Sequence, residues 1–376
     1  MWKRWILSFV LVTAFLGARA AESKKTDKGD AGDGLFRDPT LRTLRIDVPE
    51  ANLAALKQGN RDYIRATFSE GSMTLHDVGI RLKGHASFQP VDKKPAFAIK
   101  FNEFTSGQEY RGLSKLVLNN SAQDPSFVRE LLAGELFREA GVPAARATHV
   151  LVELNGRELG FYVLVEPMNK SFLKREFGVA GGNLYEGETK DIGEHLEQEN
   201  GDDTTQKDLQ ALAAAAQLPA RERMEKLRAL LDVGEFASFV AMEMLTASID
   251  GYAFKKNNYR VYHHPRTDKL MFVPHGLDAS FGSVGFQPPQ DSLVVKALWE
   301  LPEFQQQFRT RLAELATNVW RPRVLTTRLN AATAKLVAAA PSRAIAQQIE
   351  EEAKKLRYQF VAQEQLLATE LKRIRK

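Results

Sequence analysis

Residues 96–101 read Ala96-Phe97-Ala98-Ile99-Lys100-Phe101. Alternation of this kind is a strand pattern, with Phe97, Ile99 and Phe101 on one face and Ala96, Ala98 and Lys100 on the other. A lysine on a face otherwise made of alanine is oddly placed for a solvated charge. It calls for an anion or a carboxylate opposite. An exposed lysine on an edge strand would give the same pattern.

Working outward, the first half reads as strands with one prominent helix. Leu41 to Val48 alternates like a strand, Pro49 to Lys57 suits a short helix, and Met73 to Leu75 and Val78 to Leu82 suggest strands. Downstream, Asp124-Pro125 has the order of an N-cap acid and first-turn proline, opening a helix that Gly141 ends with Pro143 behind it. On a helical wheel Glu135 falls near the centre of the apolar face and Glu130 at its margin. A carboxylate in an apolar stripe needs a partner, so Glu135 is the better geometric match for Lys100. A solvent-facing acid suits either position as well. His149 to Leu154 and Leu159 to Val165 flank Asn155-Gly156, the dipeptide of a tight hairpin.

The second half is mostly helical. Glu186 to Asp203 carries eight acids against one lysine, with Gly187, Gly193 and Gly201, and reads as a loop or insert. Helices are expected over Thr205 to Gln217, Arg221 to Leu231, Glu235 to Ala247, Pro302 to Val319, Val324 to Ala339 and Ser342 to Arg375. A hairpin joins Asn258 to Tyr262 with Leu270 to Val273. The expected plan is α+β and bilobal. A strand-rich N-lobe spans 41–166, and a helical C-lobe spans 167–376 with an acidic insert at 186–208. Clefts between such halves are common ligand sites.

Composition narrows the class. The 376 residues are 44% hydrophobic and 26% charged, the balance of a globular protein. Lys3 and Arg4, the apolar run Trp5 to Gly17 and Ala18-Arg19-Ala20 have the order of a secretory signal peptide over 1–20. The run is short for a membrane span, so no stable span is expected after cleavage. Removing Lys3, Arg4 and Arg19 lowers the formal charge from +5 to +2, which leaves no nucleic-acid footprint. Residues 21–40 read as a disordered leader. With no cysteine, disulfides, thiolate nucleophiles and thiolate metal sites are excluded. The expected destination is periplasm, cell envelope or exterior.

Two stretches could carry chemistry. Lys83-Gly84-His85-Ala86-Ser87 precedes the lysine strand, and a glycine followed by small residues lets backbone N–H groups approach phosphate. Between Ser248 and Gly282, Asp250 follows a helix, Asn258 opens a strand, and Asp278 follows a hairpin. An acid, an amide and a second acid in that order are the parts of a phosphoryl-transfer site. One acid orients an acceptor hydroxyl, while the amide and the other acid hold magnesium or manganese on the phosphates. A turn at Asp250-Gly251 and a helix cap at Asp278 account for the same residues. No zinc spacing and no Gly-x-Ser-x-Gly elbow is present.

These stretches, in their order, resemble the CotH kinase family, of atypical protein-kinase-like fold. The resemblance runs from Leu41 to Gly282. It is carried by Arg81 to Ser87, Lys93 to Phe101, Leu116 to Asn120, Arg129 to Gly141, Asn155 to Glu166, Gly182 to Tyr185, Asp250 to Tyr262 and Pro274 to Gly282. Phe97-Ala98-Ile99-Lys100 is itself similar to the Val-Ala-Ile-Lys strand of protein kinases. The resemblance implies ATP near Lys100, with Glu135 or Glu130 as its partner and Gly84 and Ser87 at the phosphates. Glu166 would lie in the strand beside adenine. Asp250 would be the catalytic acid, and Asp278 and Asn258 would hold magnesium or manganese. The implied activity is phosphorylation of Ser/Thr in secreted, envelope or coat proteins. Where the family segment reads Pro-Trp-Asp-Leu-Asp, this chain has Pro274-His275-Gly276-Leu277-Asp278. That loss of one acid suits a kinase-like pseudoenzyme serving as a structural or partner-binding protein. Transfer of AMP is a third outcome.

Overall fold

The first seven strands close into a barrel. The computed structural model describes residues 31–85 and 87–374, so the signal-peptide reading of 1–20 lies outside the described residues. The chain enters through α1 (Asp33–Phe36), β1 (Arg42–Asp47) and α2 (Glu50–Lys57). It continues through β2 (Ile64–Glu70), β3 (Met73–Lys83), β4 (Ala96–Lys100) and β5 (Lys115–Asn119). Then come α3 (Arg129–Glu139), β6 (Ala147–Leu154) and β7 (Arg157–Val165). Around the barrel the strands run β1-β2-β3-β4-β5-β7-β6. Neighbours are antiparallel except at the closing seam, where β1 lies parallel to β6 with Arg42 opposite Val150 and Ile46 opposite Leu154.

Period-two alternation fills the interior. Leu44 and Ile46, Ile80 and Leu82, Phe97 and Ile99, Leu116 and Leu118, and Tyr162 and Leu164 all belong to one buried cluster. Phe68 packs edge-on against Phe101 and Tyr110 with centroids 5.1 and 4.9 Å apart. Outward positions of β3, β4 and β5 carry Arg81, Lys83, Ala96, Ala98 and Lys115.

The rest of the chain packs helices and a second sheet against this barrel. It comprises α4 (Lys170–Phe177), β8 (Leu184–Gly187), β9 (Glu197–Asn200), α5 (Lys207–Ala216), α6 (Ala220–Leu230) and α7 (Val233–Leu245). These lead to α8 (Tyr252–Lys255), β10 (Tyr259–His264), β11 (Lys269–Pro274) and a short 3-10 helix at Leu277–Ala279. Last come α9 (Leu293–Trp299), α10 (Pro302–Asn318), α11 (Pro322–Ala338) and α12 (Arg343–Ile374). The second sheet runs β11-β10-β8-β9. In α7, Phe236, Phe239 and Val240 are fully buried, and Phe236 meets Phe272 of β11 with centroids 4.8 Å apart. No helix among the described residues is long and apolar enough to cross a membrane.

Four expectations are corrected here. The mixed α+β composition stands, but the bilobal protein-kinase-like plan does not. The strand-rich part is a closed seven-stranded barrel rather than an open lobe, because β1 returns to pair with β6. The leader assigned to 21–40 ends in structure, since Leu35 of α1 is fully buried and Asp33 pairs with Arg146. The acidic insert contains β8 and β9, held because Arg260 of β10 pairs with Glu186 at 2.9 Å and with Glu199. Finally, α3 starts at Arg129 rather than after Asp124. Residues 124–127 form a turn that ends on Phe127 at φ 61°.

Candidate functional site

Two lysines and an arginine stand on the outer wall of the barrel where the second sheet covers it. Because Ile80 and Leu82 point inward, Arg81 and Lys83 point outward, and the register sets them opposite Ala98 and Ala96 of β4. Both alanines are buried, Ala98 fully. Lys115 at the start of β5 stands opposite Lys100 of β4. Arg260, Glu186 and Glu199 of the second sheet lie close enough to act on the charge of Lys83. Burial lowers the pKa of Lys83, and Arg260 lowers it further while Glu186, Glu199 and Glu130 oppose the shift. Burial lowers Lys115 in the same way. Neither lysine has a hydrogen-bond or ion-pair partner among the described residues, and the buried Nε of Arg81 has none either. The Arg81 guanidinium lies over the Tyr63 ring at 5.1 Å. Lysines without a partner suit an anionic ligand.

The loop leaving β3 follows Lys83 directly. Gly84 sits at φ 94°, and a Cβ there would lie 2.8 Å from Ser87 Oγ. The buried Asn120 amide donates to the carbonyls of Ser87 (3.2 Å) and Lys94 (2.9 Å), fixing the loop to the entry of β4. Lys94 is itself half-buried. Its Nζ lies 4.5 Å from the Phe127 ring and 5.1 Å from the Tyr162 ring, and burial lowers its pKa to about 8.

Acids approach from the helical side. Glu130 shares a face of α3 with Ala133, Gly134 and Phe137 and is 6% exposed. Burial, then the nearby Asp278 charge, pushes its carboxyl up to about 8, and its Oε2 has no hydrogen-bond partner. Asp278, on the 3-10 helix, is also raised by burial, and it accepts from the Asn119 amide at 3.2 Å. Asp250 follows α7. It accepts from the Asn257 and Asn258 amides at 3.0 Å each and pairs with Lys255 at 3.2 Å. Asn258 also donates to the Gly276 carbonyl at 3.2 Å. Asp250, Asn258, His275, Gly276, Ser248 and Ser280 line one pocket. Burial lowers the pKa of His275, with Arg260, Lys83 and Lys115 adding to the effect, and its Nε2 lies 3.6 Å from Glu186.

The expected residues separate into two groups. Asp250, Asn258, Asp278, Glu130 and Gly84 gather at this junction. Lys100 does not: it is 43% exposed in its side chain and pairs with Glu103 at 2.6 Å. Gly79 makes that possible, since a Cβ there would lie 2.7 Å from Glu103. Glu135 pairs instead with Arg328 of α11 at 3.5 Å, so no Lys100–Glu135 pair forms. Glu166 is held by Arg146 at 2.7 Å and by Arg175 at 2.5 Å, which ties β7 to α4 and uses up its carboxylate. Sequence reasoning passed over Lys83, Lys115, Arg81 and Arg260. Their signal was outward position in strands, but it required knowing which strands are neighbours.

Among the described residues no group of three His, Asp or Glu side chains stands ready to hold a metal. The unpartnered Glu130 Oε2 beside Asp278 nevertheless offers hard oxygen donors in a buried place, the donor type that magnesium and manganese take.

The family model described as CotH kinase protein matches residues 80–362. Inner spore coat protein H of Bacillus subtilis (strain 168) is 24% identical over 208 residues, covering 50% of this chain and 55% of that protein. The chain thus spans about half the length of the curated relative it matches. Since the family match takes in most of the chain and every residue of the junction just described, the chain belongs to the CotH kinase protein family.

Proposed function

We propose that this chain is an exported, metal-dependent protein kinase that passes the γ-phosphate of ATP to Ser/Thr hydroxyls of secreted, envelope or coat proteins. The observation that carries the reading is the junction itself, where unpaired Lys83 faces the buried acids Glu130 and Asp278 and unpaired Lys115 lies near Lys83 and Glu199. Lys83, Lys115 and Arg81 bind the phosphate chain. Glu130 and Asp278 would hold magnesium or manganese, and Asn258 would assist. When bound, the ion neutralises phosphate charge and orients the γ-phosphoryl group. Asp250 orients the acceptor hydroxyl and takes its proton as the new P–O bond forms and ADP leaves with the electrons of the broken one. The order of Met1 to Ala20 supports export, and the relative's name supports a place in a coat.

One observation favours a second reading, a partner-binding pseudoenzyme: glycine stands at 276, and no three-acid group is assembled among the described residues. Incubating the protein with dephosphorylated casein, Mg or Mn, and ATP labelled at the α or γ position separates the readings. The kinase reading expects γ label on Ser/Thr, lost in Asp250→Ala and Lys83→Ala. Label from the α position would mean AMP transfer. Nucleotide binding without either label transferred would mean a pseudoenzyme.

A further inference from the structure

Glu243 lies in the last turns of α7 and is 1% exposed, among Val240, Met242, Met244 and Leu245, all buried. A carboxylate in such a place is costly unless its oxygens are hydrogen-bonded. Here both oxygens are used. Oε1 accepts the Tyr252 N–H at 2.8 Å and Oε2 accepts the Ala253 N–H at 2.9 Å. Tyr252 and Ala253 open the turn that follows Asp250 and Gly251. Gly251 packs so closely that a Cβ would lie 2.1 Å from Glu243 Oε1. The turn is also held from the other side, since the Gly251 N–H donates to the Ser248 carbonyl at 2.9 Å. Ser248 is in turn fixed by hydroxyl contacts of 2.8 Å to Thr246 and Ser280. Asp250 thus stands on a backbone segment clamped at both ends, with Glu243 making one of the clamps.

We propose that Glu243 is a positioning residue that sets the place of the Asp250 carboxylate by gripping the backbone N–H groups of Tyr252 and Ala253. The proposal rests on the reading of Asp250 as the group that orients the acceptor. No neutral side chain of similar size can accept from both N–H groups in the same way. Glutamine keeps one acceptor and points an NH2 group at the other donor. Glycine at 251 follows from the same grip, because any Cβ would push the turn off the carboxylate.

The test compares wild type with Glu243→Gln and Gly251→Ala, reading amide hydrogen exchange, the side-chain amide signals of Asn257 and Asn258, ATP affinity and transfer to casein. The expected result is exchange at Tyr252 and Ala253 faster by about tenfold or more, with protection elsewhere in α7 retained. Shifted Asn257 and Asn258 signals should accompany it. A transfer rate lower by about 100-fold, with ATP affinity within about twofold, completes the pattern, since misplacing a catalytic group by an ångström has that effect. If Glu243→Gln fails to fold, Gly251→Ala carries the same expectations with the carboxylate intact. Wild-type exchange and asparagine signals in a folded variant would overturn the proposal. Should wild type itself transfer nothing, the kinase reading falls, while the exchange and asparagine arms still decide whether Glu243 holds the Asp250 turn.

Discussion

Gly276 sits at φ 58°, and a Cβ on it would lie 2.8 Å from the Asn258 side-chain amide. That amide already holds Asp250 and the Gly276 carbonyl. Asn258 therefore fills the place that an acid at 276 would need. This reverses the simple expectation that restoring an acid there strengthens metal binding. Gly276→Asp is predicted to lower stability by about 2 kcal/mol, as overpacking does, and to leave magnesium affinity no better. Thermal melts with magnesium titrations, with and without ATP, check it. Tighter magnesium binding at unchanged stability would mean that Asn258 can move aside. Residue placement was partly legible: Asp250, Asn258 and Asp278 can be picked from their order in the sequence, and they lie close together in the fold. Lys100 could not be told from Lys83 that way, because both occupy outward strand positions next to alanines. What separates them is Glu103, which lies over Gly79 and takes Lys100.

Elements were legible where periodicity and caps were local, as in the β6–β7 hairpin and the long helices α10 to α12. They were not where long-range partners decide. In β8 and β9, Leu184-Tyr185-Glu186-Gly187 and Glu197-Gln198-Glu199-Asn200 look like an acidic loop until Arg260 is placed between their acids. The start of α3 is a further case. Asp124 is 1% exposed and accepts from Ser126 N (3.1 Å), Ser126 Oγ and Arg129 N (2.9 Å), so from five residues before the helix it organises the turn and also takes the first N–H of α3. Asp124→Ala should cost about 2 kcal/mol, since it orphans buried donors. Burial raises the Asp124 pKa from 3.8 to about 6 against the hydrogen bonds that lower it. The folded chain therefore binds a proton more tightly than the unfolded chain, and unfolding releases it between those values. Wild-type stability relative to Asp124→Ala should fall as pH rises from about 4 to about 6 and level off above. Denaturant unfolding of both proteins across that range measures it. A difference that grows with pH would show that the carboxylate is stabilised by its partners more than burial opposes it.

At the scale of the molecule, the unforeseen feature is closure. Each barrel strand alternates as a half-buried strand should, but the β1–β6 seam joins residues more than 100 apart in sequence, and no local signal announces it. Closure removes free sheet edges and fixes which outward side chains share a wall. On the β3-β4-β5 wall Lys83 stands opposite Ala96 at one end, while Lys115 stands opposite Lys100 at the other, where Glu103 takes Lys100. We propose that nucleotide binds at this wall, where Lys83 faces Glu130 and Asp278. Calorimetric titration of ATP with magnesium into wild type, Lys83→Ala and Lys100→Ala tests it most directly. Expected are binding by wild type, at least about tenfold weaker binding by Lys83→Ala, and Lys100→Ala within about twofold of wild type. Loss of binding in Lys100→Ala with retention in Lys83→Ala, or no binding by wild type at millimolar nucleotide, would contradict it.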